Sequence, residues 1–124
     1  MRSQRTGPSK EPARHLPLSA ADCHLLMALA REEMYGYALL QAMAEDSAGV
    51  VGMDIGALYR ALDRLMRTGL IEASGRVASE RTRGKPRRYY RLSPVGRSVL
   101  RAEMSRLRRV LEVAELAEVE GVGG

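Results

Sequence analysis

Apolar side chains recur along this chain with a period that changes partway through. Leu25, Leu26 and Leu29 fall at helical spacing, with Met27 and Ala28 between them, the stripe of a helix packed on one side. Ser19 before them is a good N-cap, and Asp22 stands three residues on in a capping-box-like position. Cys23 lies within this run and reads as a small buried residue, His24 as a boundary residue. Tyr35-Gly36-Tyr37 interrupts the pattern. A second helix follows with Leu39, Leu40 and Met43 on its apolar face, ending at Ser47-Ala48-Gly49, so two short helices are joined by a tight glycine-containing turn.

The third helix has the clearest pattern. Leu58, Leu62, Leu65 and Met66 repeat at i, i+4, i+7 and i+8. Asp54 is the candidate cap, and Gly69 is placed to close the helix in the left-handed conformation. Gly56, Arg60, Arg64 and Arg67 line up on another face, since two residues turn the helix by about 200°. Asp63, four residues before Arg67, makes part of that stripe an ordinary ion pair. The period then shortens: Leu70–Ala73 and Arg87–Leu92 read as strands, with Tyr90 and Leu92 on one face. The segment 74–86 between them is basic and rich in turn residues, which makes a β-hairpin with a long loop. Ser93-Pro94 starts a last helix running to about residue 118. Along it Leu100, Met104, Leu107, Leu111 and Ala114 follow the 4-3-4-3 spacing of a coiled-coil seam. Val110 and Val113 widen that stripe, which favours pairing with a second copy over folding back on the chain's own core.

The predicted fold is therefore mainly α with a small β-hairpin: a winged helix-turn-helix followed by a long C-terminal dimerisation helix. Its expected divisions are a flexible basic arm over residues 1–17, a winged-helix DNA-binding domain over 18–92, the dimerisation helix over 93–119 and a disordered tail over 120–124. The arm either touches DNA or is inert.

With 124 residues, 45% hydrophobic and 28% charged, the chain has the balance of one globular domain. No apolar run approaches the ~20 residues of a membrane span, and no secretory leader is recognisable, so a cytoplasmic location is expected. The single cysteine cannot form an intramolecular disulfide, and Cys23, His15 and His24 lack metal-ligand spacing. Neither a metal nor another cofactor is expected. Catalysis is not expected either, because there is no Ser/His/Asp set, no pair of carboxylates in an apolar setting and no phosphate-binding glycine loop.

Charge adds more. Of 20 basic residues 18 are arginine, and the net charge is +5. Residues 20–59 carry one base and six acids, whereas residues 60–91 carry ten bases and three acids. Basic charge focused on the third helix and the hairpin suits a polyanion, and arginine matches phosphates and guanine edges. A basic solvated surface is the plainer reading of the same numbers.

Four stretches in order resemble the PadR-type transcriptional regulators: YGYALLQAM at 35–43, IGALYRALDRLMRTGLIE at 55–72, GKPRRYYRLSPVGRSVL at 84–100, and the single long helix after them. The likeness covers residues 18–115 and is closest to the family's short branch. It implies a homodimer in which each winged helix reads half of a palindromic operator in double-stranded DNA, acting as a repressor. By resemblance and by face, Ile55, Gly56 and Ala57 lie nearest the bases; the two small residues permit close approach or simply tight packing. Tyr59 either reaches a phosphate or is buried. Arg60 and then Arg64 contact bases or phosphates, Tyr37 donates to a phosphate, and Arg81, Arg83 and Lys85 in the wing meet backbone or minor groove. The absence of Trp and Phe departs from short-branch members that stack flat drugs at the dimer interface. An aliphatic cavity there would still admit a small-molecule effector. The competing reading is a winged-helix adaptor that binds a protein partner without specific DNA recognition.

Overall fold

The computed structural model describes residues 12–77 and 88–122. Ser19 caps the first helix as its chemistry suggests: its Oγ accepts from the Asp22 amide at 3.0 Å. The elements that follow are α1 (Ala20–Arg31), β1 (Met34–Tyr35), α2 (Gly36–Asp46), α3 (Ile55–Arg67), β2 (Ile71–Val77), β3 (Arg88–Leu92) and α4 (Pro94–Val122). The mainly helical winged helix-turn-helix arrangement is thus present, with α2 packed on α1 and α3 on α2.

The link between the first two helices is more than a turn. Met34 and Tyr35 form an edge strand, pairing Met34 with Tyr90 and Tyr35 with Tyr89 in a sheet ordered β1-β3-β2. Two residues are too few to show a period in sequence, and this strand exists only because β3 offers it a partner. On the other side of β3, Ile71 faces Leu92 and Ala73 faces Tyr90; the register then shifts before Val77 meets Arg88. β2 runs four residues further than expected, past that irregularity.

Both α2 and α3 end in the same double hydrogen bond. After α3, the Gly69 amide donates to the Met66 carbonyl at 3.1 Å and the Leu70 amide to Leu65 at 2.9 Å, with Gly69 at φ +81°. After α2, Ala48 donates to Glu45 at 3.2 Å and Gly49 to Ala44 at 2.8 Å. The left-handed residue is here an alanine, Ala48 at φ +53°, a conformation glycine adopts without steric cost.

One hydrophobic cluster gathers Leu25, Leu26, Leu29, Leu39, Met43, Leu58, Leu62, Leu65, Leu70, Tyr90, Leu92 and Val99. Leu100 belongs to it too, which corrects its assignment to an intermolecular seam. The first turns of α4 cross α1 and fill the chain's own core, with Met104 half-buried against it. From Leu107 onward the apolar residues of α4 with described side chains are exposed. Two boundaries also move. Residues 12–17 were expected in the arm, yet the His15 amide donates to Pro12 and the Leu16 amide to Ala13, and Leu16 packs on the core. At the other end α4 runs to Val122.

The junction of α3 and α4 is tight. A Cβ at Gly96 would run into the Leu70 carbonyl oxygen and lie 2.9 Å from Leu92 Cδ1. Ser93 Oγ accepts from the Gly96 amide at 2.9 Å and donates to the Gly69 carbonyl at 2.6 Å. No helix among the described residues is long and apolar enough to cross a membrane.

Candidate nucleic-acid interface

α3 separates its two faces cleanly. Leu58, Leu62 and Leu65 are buried, which leaves the side carrying Gly56, Tyr59, Arg60, Asp63 and Arg67 exposed. At its start Asp54 Oδ1 accepts from the Ala57 amide at 2.7 Å, placing a carboxylate on the positive end of the helix. Long helical side chains lean toward the N-terminus, and Arg60 does so. A Cβ at Gly56 would lie 3.5 Å from Arg60 Nη1, so the guanidinium reaches back over the bare backbone of the first turn. Among the described residues no carboxylate pairs with it. Ile55 and Ala57 beside it are half-buried.

Tyr59 is exposed, at 46% of its surface, and the buried alternative is set aside. Its ring leans across the start of α2, where a Cβ on Gly36 would lie 2.5 Å from the Tyr59 hydroxyl oxygen. Gly36 is thus the platform that lets Tyr59 bridge the two helices. Tyr37, next along α2, is 63% exposed.

Arg64 is not free. Its Nη1 and Nη2 donate to Asp22 Oδ2 and Oδ1, each at 3.0 Å, in a two-pronged bond from α3 to α1. The side chain of Asp22 is largely buried there. Arg64 lies about 40° round the helix from Arg60, toward the buried Ala61, and so toward α1. The bond to Asp22 raises the already high pKa of Arg64, against the pull of burial. By local chemistry Asp22 reads as a capping residue, yet its spacing of three and four residues before the buried Leu25 and Leu26 is the signal of an inward-facing carboxylate. Arg67 pairs with Asp63 at 2.9 Å.

In the hairpin, Tyr90 is core and burial pushes its hydroxyl pKa up, the nearby Arg88 opposing. Tyr89 is half-buried on the other face, its ring edge-on to Tyr35. Arg81, Arg83 and Lys85 lie outside the described residues. Leu107, Leu111 and Ala114 are exposed along α4, beside Val110 and Val113. Glu103 carries no signal in the sequence pattern. It is 1% exposed, and Arg106 Nε and Nη2 donate to its two oxygens at 2.7 and 2.9 Å. That pairing, aided by the Leu18 amide, holds its carboxyl below the usual carboxylate range although burial works the other way.

Residues 25–102 match the sequence model of the transcriptional regulator PadR-like family. The chain belongs to that family. Its members are transcriptional regulators, not enzymes. The chain is also 35% identical over 111 residues to the transcriptional regulator Rv3488 of Mycobacterium tuberculosis, covering 90% of this PadR-like chain and 91% of that one. The PadR family transcription regulator of Clostridium difficile R20291 shares the fold, with a TM-score of 0.64 at 23% identity over 79% of this chain and 97% of the other. Bacillus subtilis PadR, solved in complex with operator DNA, superposes with a TM-score of 0.60 at 20% identity, over 69% of this chain and 47% of its own.

Proposed function

We propose that this PadR-like chain is a homodimeric repressor that binds a palindromic operator in double-stranded DNA, each α3 entering the major groove of one half-site. The observation that carries the reading is the uncommitted Arg60 guanidinium, held over Gly56 at the exposed start of α3. A helix presenting bare backbone and an arginine at its first turns suits contact with base edges. Tyr59 and Tyr37 flank it with hydroxyls suited to phosphates, and Arg81, Arg83 and Lys85 supply wing charge to the backbone. Arg64, engaged by Asp22, sets the tilt of α3 instead of touching DNA. The second copy covers the exposed distal stripe of α4, with Leu107, Leu111 and Ala114 in the seam and Met104 at its inner edge. A small-molecule effector in that interface would meet aliphatic walls. That Bacillus subtilis PadR, which shares the fold, was solved in complex with operator DNA supports the DNA-binding part of this reading.

The test is selection from a pool of genomic fragments followed by a salt titration on the enriched site. A palindrome is expected, with affinity falling about 10³–10⁵-fold between about 50 and 200 mM salt if six to ten phosphates are neutralised. Arg60→Ala should cost about 1–3 kcal/mol and relax specificity at one position if it reads a guanine. Arg64→Ala should leave the salt slope unchanged. No enriched sequence and a flat salt response would overturn the reading and leave a protein-binding adaptor.

A further inference from the structure

A cleft of about 550 Å³ opens between the end of α1, β1, α2 and the base of the hairpin. Its size is that of a small-molecule site. Two tyrosines stand in its wall: the rings of Tyr35 and Tyr89 meet edge to face, with centroids 5.4 Å apart and planes at 68°. Three carboxylates, Glu32, Glu33 and Glu45, line it as well. The guanidinium of Arg76 reaches in from β2 and lies over the Tyr89 ring, 4.1 Å from its centroid. Arg76 Nη1 is 3.9 Å from Glu33 Oε1, at the outer limit of an ion pair. Arg31, the other basic residue of the wall, is balanced by Asp46 at 2.9 Å. In a chain of net charge +5 the cleft is thus a local excess of negative charge around an aromatic face.

We propose that this cleft binds a small alkylguanidinium ligand, which takes the Tyr89 face and the Glu33 carboxylate from Arg76. The Arg76 side chain is itself a guanidinium on a three-carbon stem, and its position shows which chemistry the ring and carboxylate accept. The face of a tyrosine attracts a cation through the ring quadrupole, and a guanidinium also stacks on it. Arg76 is a weakly held occupant. Its side chain is more than half exposed, and one ring face and one long ion pair restrain it. The cleft is much larger than a single guanidinium group, and Glu32 and Glu45 add attraction that Arg76 does not use in any ion pair among the described residues. Occupation by a ligand and anchoring of the hairpin base by Arg76 exclude one another.

The experiment titrates n-butylguanidinium chloride into the full chain, with sodium chloride at equal ionic strength as the control, and follows the tyrosine ring signals by NMR. Saturable shifts centred on Tyr35 and Tyr89 are expected. Arg76→Ala, an exposed position whose replacement leaves the core intact, should bind the probe about two- to fivefold tighter, because the internal competitor is gone. Glu33→Gln should bind it more weakly. Shifts that track salt alone, or an Arg76→Ala variant no tighter than the parent, would overturn the proposal. Neither readout involves DNA, so this result stands or falls apart from the operator reading.

Discussion

α3 and α4 are both amphipathic and both carry arginines, yet they satisfy their apolar faces in different places. Every buried leucine of α3 meets the chain's own core, and its opposite face is left to solvent. α4 behaves that way only through Val99 and Leu100, with Met104 half-buried against the same core and the charged Glu103 buried as well. Beyond Met104, Leu107, Val110, Leu111, Val113 and Leu116 point into solvent, with Leu111 at 57% and Leu116 at 63% exposure. A helix whose apolar face is filled from within contributes to the stability of one chain. A helix whose apolar face runs on past its own core adds nothing there to the stability of a single chain, and exposed patches of that kind mark contact surfaces. The boundary between the two behaviours lies within α4, between Met104 and Leu107.

The hardest test is where the first turn of α4 meets the turn that follows α3. Gly96→Ala drives a Cβ into the Leu70 carbonyl, and because the obstacle is backbone the expected loss exceeds about 3 kcal/mol; urea unfolding measures it. Next, Leu62→Ala in α3 should cost about 3 kcal/mol at any protein concentration. Leu111→Ala in α4 should leave an isolated chain within about 0.5 kcal/mol and instead lower the association constant in sedimentation equilibrium. Equal, concentration-independent losses at both sites would erase the distinction. Glu103→Gln probes the inner part of α4 and should cost about 1.5–3 kcal/mol at neutral pH. Its carboxyl is held below the ordinary value of 4.5, so its stabilisation is complete above about that pH and drains away as pH falls through the folded value. The variant should lack that part of the acid dependence. The smallest effects belong to the helix ends. Gly69→Ala after α3 should cost about 1 kcal/mol, and Ala48→Gly after α2 should gain up to about that much, both read from thermal midpoints.

What could be read from the chain follows the same division. Periodicity located α1, α2, α3 and α4, because each has enough turns to repeat a stripe. Ser19, Asp54 and Gly69 fixed their ends through local chemistry. β1 escaped because two residues have no period and the strand is made by β3. Arg60 was legible as an exposed arginine, since its surroundings are its own helix. Arg64 was not, since what decides its role is Asp22, 42 residues away in sequence. Glu103 is hidden for a similar reason: on a helix whose pattern reads as a dimerisation seam, nothing local distinguishes a buried glutamate from an exposed one. Leu100 was assigned to the wrong partner because a 4-3-4-3 pattern is indifferent to whether the surface it meets is its own chain or another.

Ser93 sets the rotational phase of α4. Its hydroxyl ties the first turn of α4 to the carbonyl that ends α3, so the azimuth of every later side chain is counted from a fixed origin. Each residue advances that azimuth by about 100°. One residue inserted between Arg101 and Leu107 would therefore keep Val99 and Leu100 in place while swinging the distal stripe more than a quarter turn away. Direction along α4 is thus stored in a count of residues, and its reference mark is a single oxygen atom at the end of another helix.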